Sequence, residues 1–124
     1  MNLKSHHSSF PVRDAEVSKA FYGGVLGLKE IPRPASLTFP GAWYQAGPCE
    51  IHLLQIPDGL DVGANAPTKT PFARHEAFAV EDIAAARAHF EAHGIEVVAI
   101  ESVPNQFWVA DPDGHLLEFI EPRR

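Results

Sequence analysis

The chain has 124 residues, enough for one compact core and too few for two conventional domains. Its hydrophobic fraction of 45% and charged fraction of 21% are those of an ordinary soluble globular protein, and a net charge of −6 without a basic stripe argues against a nucleic-acid partner. No stretch approaches the roughly 20 apolar residues of a membrane span. With Cys49 as the sole cysteine, an internal disulfide and a Cys-based zinc finger are both ruled out, and a cytoplasmic, reducing setting is expected.

From the N-terminus, residues 7–13 alternate in polarity and carry Phe10 and Val12, as a half-buried strand does. Asp14 is placed to cap a following helix, because its short carboxylate can accept from the free amides of the first turn. Val17 and Phe21 share a face of that helix, and Gly23-Gly24 or Gly27 ends it. Residues 41–46 and 50–56 read as strands. The segment 57–71, rich in Gly, Pro, Asp, Asn and Thr, is expected to link two modules. Residues 75–81 form the next strand and Asp82 the next cap. Ile83, Ala86 and Phe90 line one helical face, and Gly94 is the stop. Strands at 95–101, 106–110 and 116–121 complete the chain, with the turn Asp111-Pro-Asp-Gly114 feeding the last.

The order repeats because the sequence does. His7, Phe10, Val12 and Asp14 recur as His75, Phe78, Val80 and Asp82 at a constant offset of 68, and Ile51-His52-Leu53 returns as Leu117-Glu118-Phe119. The expected architecture is therefore α+β: two βαβββ modules, about 3–56 and 72–122, forming one domain. Side chains alternate faces along a strand. If Phe10, Val12, Ile51 and Leu53 pack on the helix, His7 and His52 emerge opposite. The same parity sends His75 and Glu118 away from Phe78, Val80, Leu117 and Phe119. A buried carboxylate among imidazoles is costly unless a divalent cation compensates it. Three neutral imidazoles, one carboxylate and such an ion carry a net charge of about +1, suited to polarising an oxygen.

His7-x4-Val12-x-Asp14, the run Phe21-Tyr22-Gly-Gly-Val-Leu26-Gly27-Leu28, His75-x-Ala-Phe-x-Val80-x-Asp82 and Asp111-Pro-Asp-Gly114-x3-Glu118 together resemble the vicinal oxygen chelate superfamily. That group includes glyoxalase I, methylmalonyl-CoA epimerase, extradiol dioxygenases, fosfomycin-resistance thiol transferases and bleomycin-binding proteins. The resemblance spans nearly the whole chain and implies that the two modules form a curved half-barrel sheet around a metal cavity. It implies metal slots at His7, His52, His75 and Glu118, the set that strand parity reaches separately. The second slot is typically Glu or Gln in glyoxalase I and the epimerase, whereas here it is His52.

The resemblance implies a divalent ion (Ni, Co, Mn, Fe or Zn), a small-molecule substrate and a homodimer. The favoured reading is a glyoxalase-like lyase or isomerase. It chelates vicinal oxygens of its substrate and stabilises an enediolate, with Glu118 and His52 as catalytic groups. An Fe(II) extradiol-type dioxygenase using His7, His75 and Glu118 is the alternative, as is a non-catalytic drug- or metabolite-binding protein; a thiol transferase also stays open. His52 is either a fourth ligand or an acid/base. Bland readings stand beside these. Glu50 shares the face of His52 and is a backup ligand. His6 could exchange with His7 by a register slip. Arg74 either grips an anionic substrate or is solvated, and Phe39, Trp43 and Trp108 either line a pocket or simply pack. His89, His93 and His115 are expected in solvent, and Cys49 as a small packed residue.

Overall fold

The computed structural model describes residues 1–63 and 72–122. They fall into two compact units, Met1–Gly63 and Ala64–Arg124. Most of the expected 57–71 linker, residues 64–71, lies outside the described residues. Among the described residues no helix is long and apolar enough to cross a membrane.

The first unit runs β1 (His7–Val12), α1 (Ala15–Lys19) with a π-helical continuation (Ala20–Val25), β2 (Lys29–Ile31), β3 (Gly41–Ala46) and β4 (Cys49–Gln55). Its four strands are ordered β1-β4-β3-β2, with β1 parallel to β4 and the other pairs antiparallel. Asp14 caps α1 as expected, its carboxylate accepting from the amides of Glu16 and Val17. A second acceptor, Gln55 Oε1 at the end of β4, takes the Ala15 amide at 2.8 Å. The helix entrance is thereby tied to the strand that closes the unit.

The second unit runs β5 (His75–Ala79), α2 (Ile83–Ala92), β6 (Gln106–Ala110) and β7 (Leu116–Ile120), ordered β5-β7-β6 with β5 parallel to β7. The helix entrance is built alike: Asp82 accepts from the Ala85 amide, and Glu121, just past β7, accepts from the Ile83 amide at 2.9 Å. Both helical stretches end at a glycine in the left-handed region, Gly27 and Gly94, each with φ of 70°.

In both units the helix covers the face that strand parity assigns to it. Ile51, Leu53, Ala42, Tyr44 and Val12 are buried with Phe21 and Tyr22 in the first. In the second, Phe90 of α2 meets Phe119 at 4.8 Å and Phe107 at 5.8 Å between ring centres, with Leu117 and Val109 buried beside them.

Three expectations need correction, and one strand is added. Residues 95–101 do not form a strand. Only Val98 bridges, through two hydrogen bonds to Trp108, because the chain then turns at Ile100–Val103. It bridges the free side of β6, so the second unit keeps the sheet order of the first with its edge strand reduced to one pair. Conversely β2, too short to show a periodic pattern, was not expected. Val17 is half exposed rather than core; the inward stripe is Ala15, Ser18, Phe21 and Tyr22, and at 3.6 residues per turn Val17 lies about 100° around the axis from Ser18 and farther from Ala15. His115 is buried, not solvated, since the Asp111 carboxylate folds the turn inward by accepting from the amides of Asp113 and His115.

Candidate metal centre

Register fixes which side chains share the face opposite the helix. In the first unit the pairs His7↔Glu50, Ser9↔His52 and Trp43↔His52 place these residues on one surface. Trp43 lies flat on His52, with ring centres 3.8 Å apart and planes 2° from parallel. His7 covers the other side of the same imidazole at 4.0 Å and 14°. His52 is thus the buried centre of a three-ring stack, while His7 is exposed at its outer end. Glu50 Oε1 lies 3.0 Å from His52 Nε2. A carboxylate only accepts, so Nε2–H donates and Nδ1 is left as the lone-pair nitrogen of the neutral ring. Carboxylate–imidazole pairs of this kind orient metal-binding histidines through the nitrogen that does not touch the metal.

The electrostatics follow from this packing. Partial dehydration, and then the charges of His52 and His6, lower the pKa of His7 from its ordinary 6.5, with Glu50 opposing. His7 therefore favours the neutral form that a ligand requires. The hydrogen bond from His52 leads in holding the Glu50 carboxyl below the usual carboxylate range. His6 and His7 approach at 2.8 Å through their Nδ1 atoms, so one donates and the other accepts.

In the second unit Ala77↔Glu118 and Trp108↔Glu118 put Glu118 on the face it shares with His75. His75 Nδ1 is 2.7 Å from the carbonyl oxygen of Ala73. A carbonyl cannot donate, so Nδ1 carries the proton and the neutral ring's lone pair is on Nε2. That atom faces Glu118 Oε1 at 3.3 Å. Two acceptors at this distance repel unless a proton or a metal cation lies between them. Gln106 Nε2 donates to the same carboxylate oxygen at 3.1 Å. Trp108 stands edge-on to His75, with ring centres 6.5 Å apart, and is itself buried. Its indole Nε1 is buried without a hydrogen-bond partner among the described residues.

Each unit thus brings together one pair of the expected ligands, His7 with His52 and His75 with Glu118, and the donor set suits a borderline divalent ion. Among the described residues no group of three or more His, Cys, Asp and Glu side chains is clustered as a metal cage. Of the remaining candidates, Trp43 and Trp108 occupy equivalent places beside the second slot of each unit. Glu50 is engaged with His52. Phe39 lies in the loop before β3, where its carbonyl accepts from Arg33 and its ring sits 5.3 Å from that guanidinium. Arg74 is exposed one residue before β5. Cys49 is half-buried, its Sγ 3.7 Å from the Ser5 carbonyl oxygen.

Sequence reasoning missed Gln106 and the Ala73 carbonyl. Strand parity could have found Gln106, two residues before Trp108; nothing in the sequence marks a backbone acceptor.

Two such modules, each with a strand histidine and a polar residue in the last strand, define the class to which the comparisons also lead. Residues 4–119 match the family model described as the Glyoxalase/Bleomycin resistance protein/Dioxygenase superfamily, and the chain belongs to it. It is 34% identical over 121 residues to Glyoxylase I 4 of Arabidopsis thaliana, covering 91% of this chain and 67% of the relative. It is also 34% identical over 125 residues to the uncharacterized protein YaeR of Escherichia coli strain K12, covering 94% of each. Among solved structures it resembles a putative glyoxalase family protein from Bacillus anthracis, with 30% identity, a TM-score of 0.80 and coverage of 99% of this chain and 98% of that one.

Proposed function

We propose that the protein is a metal-dependent lyase or isomerase of the glyoxalase type, with one divalent ion shared by His7, His52, His75 and Glu118. Its substrate is a small molecule with two adjacent oxygen atoms. The observation that carries the reading is the His75–Glu118 contact. The Ala73 carbonyl holds a proton on Nδ1, so the neutral ring turns its lone pair toward a carboxylate oxygen, an arrangement that a cation stabilises. Outer hydrogen bonds orient the ligands in both units: Ala73 on His75, Gln106 on Glu118 and Glu50 on His52. The expected single domain follows from the same reading, since both pairs must serve one ion. A homodimer, which would enclose the substrate further, accompanies it.

When bound, an ion of the Ni, Co, Mn, Fe or Zn group supplies Lewis acidity, polarising the substrate's oxygens and making the neighbouring C–H more acidic. The chain's own groups then divide the work. Glu118, kept in place by the Gln106 amide, is positioned to accept the proton at its second carboxylate oxygen and to return it. His52, held between Trp43 and His7, keeps a fixed ring plane, with Glu50 steadying its Nε2 proton. Either it is a ligand through Nδ1, or it moves a proton at that atom. Trp43 and Trp108 would shield the substrate from water on their respective faces.

The test is turnover of the methylglyoxal hemithioacetal by metal-stripped protein reloaded separately with Ni²⁺, Co²⁺, Mn²⁺, Fe²⁺ and Zn²⁺. X-ray absorption on the loaded protein should count three imidazoles and one carboxylate about 2.0–2.2 Å from the ion. Two imidazoles with the carboxylate would make His52 the group that moves a proton, whereas one imidazole with the carboxylate, or two without it, would mean that the units do not share an ion. Turnover with none of the metals would remove the lyase chemistry, and oxygen uptake with catechols would replace it by the dioxygenase.

A further inference from the structure

Outside the candidate centre, His89 and His93 stand one helical turn apart on α2, both exposed. Residues four apart lie one above the other on a helix surface. Here the two imidazole centres are 4.5 Å apart with planes inclined at 52°. The His93 Nδ1 atom lies 2.8 Å from the carbonyl oxygen of His89. Since the carbonyl can only accept, Nδ1 carries the proton, and the lone pair of the neutral ring is on Nε2. This is the same backbone-to-imidazole support that His75 receives from Ala73.

We propose that His89 and His93 form a second, separate metal site: a two-imidazole clip for a first-row transition-metal ion, Cu²⁺ or Ni²⁺ above Zn²⁺. The spacing agrees with chelation. With a metal–nitrogen distance of about 2.0–2.1 Å, and about 1.1 Å from nitrogen to ring centre, two imidazoles on cis positions at about 90° have centres about 4.5 Å apart. That angle belongs to square-planar and octahedral ions, and imidazole donors rank the divalent metals with Cu²⁺ highest, Ni²⁺ next below it and alkaline-earth ions excluded. Location adds to the preference. His93 is the C-cap of α2, and the negative end of the helix dipole there favours positive charge. Arg87, the nearest basic side chain on the helix, is held 2.6 Å from Glu91, which offsets its repulsion of an incoming ion. The coordination positions that the two rings leave go to water, so the clip binds exchangeably and does not depend on the candidate centre.

The experiment compares metal-stripped full-length protein with the H89A/H93A variant during Ni²⁺ and Cu²⁺ titration, following bound metal by equilibrium dialysis. The expected result is one ion fewer per chain in the variant, with far-ultraviolet circular dichroism unchanged because both side chains are exposed. Copper electron paramagnetic resonance should show coupling to two nitrogens from this site, also when His75 and Glu118 are replaced by Ala and Gln. Equal uptake by wild type and H89A/H93A overturns the clip, whatever the candidate centre binds. Loss of every bound ion from H89A/H93A overturns its independence. Because both chains carry the same four candidate ligands, failure of the glyoxalase reading leaves this difference of one ion intact.

Discussion

The two units share a backbone plan yet solve the same local problem with different side chains. Each has a histidine at the start of its first strand, a tryptophan on the adjoining antiparallel strand and a polar residue in the middle of its last strand. In the first unit that last residue is an imidazole, held by stacking between Trp43 and His7, and its carboxylate helper Glu50 is two residues earlier on the same strand. In the second it is the carboxylate of Glu118, which accepts a hydrogen bond from Gln106 and lies 3.3 Å from His75 Nε2, with Trp108 edge-on to that histidine. Glu50 has Leu116 as its counterpart, and Gln106 has Gly41. Duplication therefore preserved the directions in which side chains point, while the charges came apart. In the proposed centre the negative donor would come from the second unit, and the first would contribute flat, polarisable rings.

The sharpest way to break that comparison is to remove each last-strand residue in turn. Glu118→Gln should lower divalent-metal affinity by more than about 100-fold, beyond the ~10–100-fold typical of losing an outer partner. His52→Ala should fall within that lower range. Competition with a chromophoric chelator measures both. The reverse ranking would place the principal donor in the first unit.

A second difference lies in the cores. Tyr44 on β3 is buried where β6 has Val109. Burial, followed by the charges of Glu30 and Glu16, raises the Tyr44 phenol from 10.0 to about 12. The folded protein thus holds a proton that the unfolded chain releases. Stability from this group is complete below the unfolded value of 10.0 and is lost as pH rises toward about 12, by roughly 2 kcal/mol. Denaturation midpoints at about pH 9 and pH 11.5 should fall in wild type and fall less in Tyr44→Phe. An equal fall in both would assign the alkaline loss elsewhere.

The helpers provide a subtler contrast. Glu50→Gln should weaken metal binding about 10-fold, because a charged hydrogen bond to a ligand imidazole is lost, and Gln106→Leu should do so only a few-fold. Equal effects, read by the same chelator competition, would mean that the charge of Glu50 is immaterial.

How far the sequence reached is visible in these same residues. Parity along strands depends on backbone geometry alone, so the sequence suffices to put His7, His52, His75 and Glu118 on the faces opposite the helices. The repeat placed both helix caps for the same reason. What parity cannot encode is rotation about side-chain bonds. That Trp43 lies flat on its neighbour while Trp108 stands on edge, or that Ala73 fixes a tautomer, depends on packing. The strand expected at 95–101 failed because its Val and Ile pattern suits an edge, but the turn after Ile100 leaves it room for a single pair. The π-turn after Lys19 was equally hidden, since a 3.6-residue period was assumed where Leu26 reaches back to Phe21.

The smallest expected effect concerns the two caps. Asp14 accepts from two amides and Asp82 from one, at comparable distances of 2.9–3.4 Å and 3.0 Å. Replacing either by Ala should cost about 1 kcal/mol, the usual value for a lost N-cap. The remaining acceptors separate the two. At the second helix the Ile83 amide is taken by the Glu121 carboxylate, whose negative charge itself favours a helix N-terminus, whereas at the first the Ala15 amide is taken by the neutral amide oxygen of Gln55. Asp82→Ala therefore leaves a charged acceptor behind and Asp14→Ala does not. The expected result is a loss a few tenths of a kcal/mol larger for Asp14→Ala, read from urea denaturation of both variants. Adding Glu121→Gln to Asp82→Ala should close the gap, and a gap that stays open would place its origin in the number of amides capped rather than in the charge.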